Sequence, residues 1–171
     1  MLIAHRGGSG HYLENTLAAF DHAMTCGCDG AELDVHISAD GELVVHHNAT
    51  INHRYTQLAE GRWLRPDEEL AISTLTREEI DRYRIGLPNP ATDYAKRFPQ
   101  LVGVDGQRIP TLRQVIELVQ RRSETFKLVI EIKSSCLFDP GARAWQPLVD
   151  AVLGIVDELN FSERTILCGF D

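Results

Sequence analysis

The spacing of apolar residues changes several times along the chain, and each change marks an element. Residues 1–4 are apolar and stop at His5-Arg6-Gly7-Gly8, the pattern of a short strand ending in a flexible polar turn. Over residues 16–25, Leu17, Phe20 and Met24 recur at helical spacing, with Asn15 the expected N-cap and Gly27 the expected stop. Residues 30–37 alternate strictly, so Leu33, Val35 and Ile37 share one face of a strand and Glu32, Asp34 and His36 the other. The turn Ser38-Ala39-Asp40-Gly41 is too short for a parallel crossover, so residues 42–46 should return antiparallel.

Residues 49–110 break this rhythm. They are rich in Arg, Pro and Asn, and Pro88, Pro90, Pro99 and Pro110 exclude a continuous strand. Thr76-Arg77-Glu78-Glu79 has the pattern of a capping box, and the segment is expected to be a mostly helical and irregular insertion. Alternation resumes at Thr111, a cap for residues 112–121 with the apolar stripe Leu112, Val115, Ile116 and Val119. Residues 126–133 form a near-continuous apolar strand of the kind covered on both faces. A helix with Pro147 in its first turn, running to about residue 159, and a strand over 165–169 complete the series. Strands alternating with helices and ending in polar groups predict a parallel α/β sheet with its site at the strands' carboxyl ends.

Composition narrows the partners. With 43% hydrophobic and 25% charged residues the chain is globular rather than disordered. Acidic residues outnumber basic ones 25 to 17, a formal charge of -8, which argues against nucleic acid as the main partner. No signal-peptide pattern and no run of about 18 apolar residues occurs, so no membrane span and a cytoplasmic location are expected. Cys26, Cys28, Cys136 and Cys168 form no CxxC pair and read as reduced thiols. All seven histidines precede residue 54, so any imidazole chemistry comes from the first third of the chain.

Three strand carboxylates are the sharpest chemical feature. Glu32 and Asp34 share a face, and Glu131 interrupts an otherwise apolar strand. Buried together they would require a cation, and oxygen-only ligation favours Mg2+ or Ca2+. The plainer readings are a solvated strand face for Glu32 and Asp34, and an ion pair with Lys133 for Glu131. His5 and His47 both fall at predicted strand ends, whereas His46, pointing the opposite way from His47, reads as structural.

His5-Arg6-Gly7, Glu14-Asn15-Thr16, Glu32-Leu33-Asp34-Val35, the run from Asp40 to His47, and Glu131-Ile132-Lys133 resemble, in order and spacing, the glycerophosphodiester phosphodiesterase family of phospholipase C-like TIM barrels. Ser73-Thr74-Leu75-Thr76 and Arg108-Ile109-Pro110-Thr111-Leu112 look like one branch of that family, and the resemblance spans essentially all 171 residues. It implies a (β/α)8 barrel enzyme that hydrolyses glycerophosphodiesters to glycerol 3-phosphate and an alcohol with a divalent ion. By the same resemblance Glu32, Asp34 and Glu131 are metal ligands, His5 and His47 the general acid/base pair, and Arg6 and Lys133 cations beside the phosphate. Glu14 and Asn15 match a motif expected to position His5 or the first helix. Where the family usually has aspartate after the second histidine, this chain has Asn48, which keeps an acceptor oxygen and loses the charge. The alternatives are a non-catalytic metal- or phosphate-binding half-barrel, and a lyase forming a cyclic phosphate.

A (β/α)8 barrel typically needs ~250 residues. With Ile3, Leu33, Ile130 and Leu167 marking successive parallel strands, the chain is expected to cover the first four. Residues 1–48 and 111–171 then form the amino-terminal half of a barrel, and 49–110 its insertion. Cys168-Gly169-Phe170-Asp171 would end the fourth strand. Both sheet edges would be apolar and unpaired, to be completed by further residues or by a homo-oligomer.

Overall fold

The structure is a computed structural model that describes residues 1–133 and 145–169. Cys136, Phe170 and Asp171, with the expectations attached to them, lie outside the described residues. Five strands form one sheet: β1 (Ile3–Ala4), β2 (Gly30–Ile37), β3 (Leu43–Val45), β4 (Lys127–Ile132) and β5 (Thr165–Cys168). The order β1-β2-β4-β5 is parallel throughout, and β3 pairs antiparallel with β2. β1 pairs only with Gly30 and Ala31, which leaves the far half of that edge of β2 for β3, where Val35 faces Val45.

The helices that cover the sheet follow the apolar stripes. They are α1 (Leu17–Thr25), α4 (Leu112–Arg122) and α5 (Trp145–Glu158), with the short α2 (Arg77–Ile80) and α3 (Asp93–Arg97) between. α4 starts at a complete capping box of Thr111 and Gln114 and buries Leu112, Val115, Ile116 and Val119. These pack with Phe20 of α1, Leu33 and Val35 of β2, Leu128 and Ile130 of β4, and Val152 of α5 in one core. Each such side chain removed from water contributes roughly 1.5–3 kcal/mol. That core fixes the lateral register of β2 and β4, and so the positions of the carboxylates on their opposite face.

Two expectations need correction. The N-cap of α1 is Thr16, whose hydroxyl accepts from the Ala19 N–H at 3.2 Å, and not Asn15. The Asn15 amide instead donates 2.7 Å to Asp34 Oδ2, a bond to a buried carboxylate that outweighs a neutral cap. Residues 49–110 are also less helical than expected. Their α-helices are only the four residues of α2 and the five of α3. What orders the segment is an apolar cluster of Ile51, Tyr55, Leu64, Ile72, Ile80, Ile85, Tyr94 and Ile109, which also takes in Leu13 and Val44. Cys26, Cys28 and Cys168 are free thiols. No helix among the described residues is long and apolar enough to cross a membrane.

Candidate active site

The site grows from the carboxyl ends of β1, β2 and β4. In the β2–β4 register Asp34 lies opposite Glu131, and Glu32 is two residues back on the same face of β2. One oxygen from each of Glu32, Asp34 and Glu131 lies within 4.8 Å of the others. Three carboxylates this close repel one another, and the surroundings are built to hold them.

β1 ends at Ala4, and the chain bends through a single turn of 3-10 helix, His5–Gly7, in which Arg6 takes φ 50° and Gly7 φ 77°. At Gly7 a Cβ would come within 3.0 Å of the Ala19 Cβ, so the turn can seat against α1 only with glycine there. The bend points the Arg6 N–H at Glu32 Oε2, 2.8 Å away. The Arg6 guanidinium donates to both Glu14 oxygens at 3.2 Å, and its Nε lies 3.6 Å from Asp34 Oδ2. Tyr55, buried in the 49–110 cluster, donates its hydroxyl to Glu14 Oε1 at 3.3 Å. The described contacts of Glu14 are thus with Arg6 and Tyr55, and those of Asn15 with Asp34 and the Arg6 carbonyl. The pair fixes Arg6, within the His5–Gly7 turn, and Asp34.

Electrostatics divide the three acids. Burial, reinforced by the Asp34 charge, pushes the Glu32 carboxyl up to about 7. Asp34 is buried too, which by itself would raise it, but Lys133 and the Asn15 amide together hold it below the usual carboxylate range. Lys133 pairs with Glu131 and brings its Nζ 2.9 Å from Asp34 Oδ1. The plainer reading of Glu131 as a partner of Lys133 is therefore realised, alongside the convergence with Asp34. Asp34 Oδ1 meets the Lys133 ammonium, and with one oxygen each of Glu32 and Glu131 it completes a set of three hard carboxylate ligands that fits a divalent ion.

His5 and His47 come from two different loops and line one pocket of about 540 Å³, together with Arg6, Glu14 and Asn48. His5 Nε2 lies 3.9 Å from Glu32 Oε2, with the ring exposed. His47 Nδ1 lies 2.7 Å from Asn48 Oδ1. With Asn48 Oδ1 as the acceptor, Nδ1 is the donor of this pair and Nε2 is the ring nitrogen outside it. His46 is buried, with Nε2 3.2 Å from the Thr50 carbonyl, and burial pushes its pKa down to about 3. The rest of the wall is made by Ser9 and by Asn52, Arg54, Asp93, Tyr94, Arg97 and Phe98 of the 49–110 segment. None of these was a candidate from sequence, where the segment's richness in arginine was the only signal.

The profile of the Glycerophosphoryl diester phosphodiesterase family matches residues 5–170. The chain belongs to this family. Over 171 residues it is 36% identical to a glycerophosphodiester phosphodiesterase of Caldanaerobacter subterraneus subsp. tengcongensis, covering 100% of this chain and 58% of that protein. It is 32% identical over 169 residues to a Bacillus altitudinis protein of the same name, covering 57% of it. A crystal structure assigned as a glycerophosphoryl diester phosphodiesterase, from Silicibacter pomeroyi DSS-3, matches with a TM-score of 0.89 at 32% identity, covering 99% of this chain and 57% of that one. The chain therefore spans somewhat more than half the length of these relatives, and its mixed α/β sheet is part of the barrel of this phosphodiesterase family.

Proposed function

We propose that the chain carries the ion-binding and proton-transfer groups of a glycerophosphodiester phosphodiesterase, which hydrolyses its substrate to glycerol 3-phosphate and an alcohol. The observation that carries the reading is the convergence of Glu32, Asp34 and Glu131 beside a pocket lined by His5, His47 and Arg6. A phosphodiester anion repels nucleophiles and leaves as a poor alkoxide, so its cleavage needs charge neutralisation and proton management. Glu32, Asp34 and Glu131 would hold a divalent ion, which would supply the first by acting as a Lewis acid on the phosphodiester.

The chain's own residues supply the rest. Arg6 and Lys133 add positive charge beside the phosphate. Glu14 holds the Arg6 fork in place, and Asn15 fixes Asp34. His47, its Nδ1 directed at Asn48, offers Nε2 to take the nucleophile's proton, and His5 protonates the departing alkoxide. Asn48 thus keeps the orienting function that an aspartate would serve, without its charge.

The deciding experiment is hydrolysis of glycerophosphocholine and of an aryl phosphodiester, with chelator and after return of Mg2+ or Ca2+. Turnover lost on chelation and restored by the ion is expected. Ion binding without turnover would favour a non-catalytic binding protein, and a cyclic phosphate product would favour a lyase.

A further inference from the structure

We infer that the 49–110 segment builds a second, anion-selective subsite in the same pocket, where Arg54 and Arg97 receive a negatively charged group on the alcohol half of the substrate. The inference rests on the proposed phosphodiesterase reading and adds a substrate class to it.

Three observations lead there. First, the pocket, at about 540 Å³, falls in the range of ~300–1,000 Å³ that accommodates a ligand well beyond a bare phosphate. Second, its lining includes His5, Arg6 and His47 but none of Glu32, Asp34 or Glu131. The cavity therefore runs from the histidines away from the carboxylates, toward the wall supplied by residues 49–110. Third, that wall carries uncommitted positive charge. Arg62, Arg65, Arg77 and Arg82 of the same segment are each paired to a carboxylate. Among the described residues Arg54, Arg84, Arg97 and Arg108 have no such partner, and of these four Arg54 and Arg97 line the pocket. The Arg97 guanidinium lies 5.5 Å from the centre of the Phe98 ring, which supports the plane of the fork.

The acids in the pocket do not cancel this charge. Glu14 is taken by Arg6, and Asp93 lies 3.2 Å from Lys96. The bridging phosphate must sit against the ion and the catalytic groups, and the glycerol half carries only neutral hydroxyls. A second anion on a glycerophosphodiester therefore belongs to the alcohol half, as a phosphate monoester or a carboxylate. Planar guanidinium forks match both groups with paired hydrogen bonds, and they repel a trimethylammonium head.

The test uses the full chain with the ion its turnover requires. Three diesters are compared: glycerophosphoglycerol, the same compound carrying a terminal phosphate monoester, and glycerophosphocholine. The terminal phosphate should raise kcat/KM, mainly through KM, with the choline compound poorest and the preference shrinking as salt is added. Arg54→Gln/Arg97→Gln should lower the ratio of kcat/KM for the phosphorylated over the uncharged diester by roughly 10-fold. The charge-matched control Arg82→Gln/Arg121→Gln, at exposed positions outside the pocket lining, should leave that ratio unchanged. A wild-type chain without the preference, or a pocket variant that keeps it, overturns the inference. If no diester is turned over, the phosphodiesterase reading fails by itself, and calorimetric binding of the terminally phosphorylated diester decides this one. Roughly 10-fold weaker binding in the pocket variant than in the control supports the subsite, and equal or absent binding in both overturns it.

Discussion

The carboxylate end of the site and its loop-built wall solve opposite problems. Asp34 is held from several directions by Asn15, Arg6 and Lys133, on a strand whose far face is locked into the core. His5, Arg54 and Arg97 are exposed on turns and a short helix. Mutually repelling charges need a rigid frame, because any slack would let them separate. On the proposed reading His5 exchanges protons and the two arginines meet the substrate, and such groups need only be brought near. The contrast teaches that stability and turnover should separate between the two regions.

The largest expected effect tests the wall. His5→Ala or His47→Ala should lower turnover by ~10²- to 10⁴-fold while folding stability, followed by thermal or denaturant melting, moves by no more than about 0.5 kcal/mol. A large loss of stability in either variant would break the division. At the carboxylate end both properties should fall together. Asp34→Ala leaves the Arg6 and Lys133 charges without their buried partner, and a cost of about 3 kcal/mol in denaturant unfolding should accompany loss of ion binding by calorimetry. A variant that is inactive but as stable as the parent would show that the frame does not depend on the charge it holds.

The third effect sharpens the electrostatics of the frame. Glu32 is neutral in the fold up to about pH 7 but ionises near 4.5 when unfolded, so the folded state binds the extra proton between those values. Its contribution to stability therefore falls as pH rises from 4.5 to 7, by roughly 3 kcal/mol in chelator. Glu32→Gln should remove that slope, and an added divalent ion should remove it from the parent. Parallel pH–stability curves for parent and variant in chelator would contradict the assignment.

Much of this was readable from the chain, and the exceptions have physical causes. The alternation over Gly30–Ile37 placed Glu32 and Asp34 on one face because strand geometry leaves no other arrangement. The same holds for the stripe of α4. Asn15 misled because an asparagine before a helix is a good cap by local chemistry, whereas its actual partner, Asp34, lies on another element. The partnership of Tyr55 with Glu14 spans 41 positions, and no local pattern encodes it. The wall of the pocket was hidden for a related reason. Residues 49–110 are ordered by a scattered apolar cluster rather than by periodic elements, so nothing in their spacing says which arginines face inward.

The placement of Glu131 roughly 100 positions after Asp34 has a consequence for how the molecule matures. Two of the three acids are made early, on β2, but the third arrives only when β4 has been synthesised and has docked at its correct register. On the proposed assignment, ion capture at full strength waits for that docking, and the affinity for a divalent cation would report whether the sheet has closed up. Followed during refolding, the appearance of tight binding would time the β2–β4 pairing itself, ahead of any assay of catalysis.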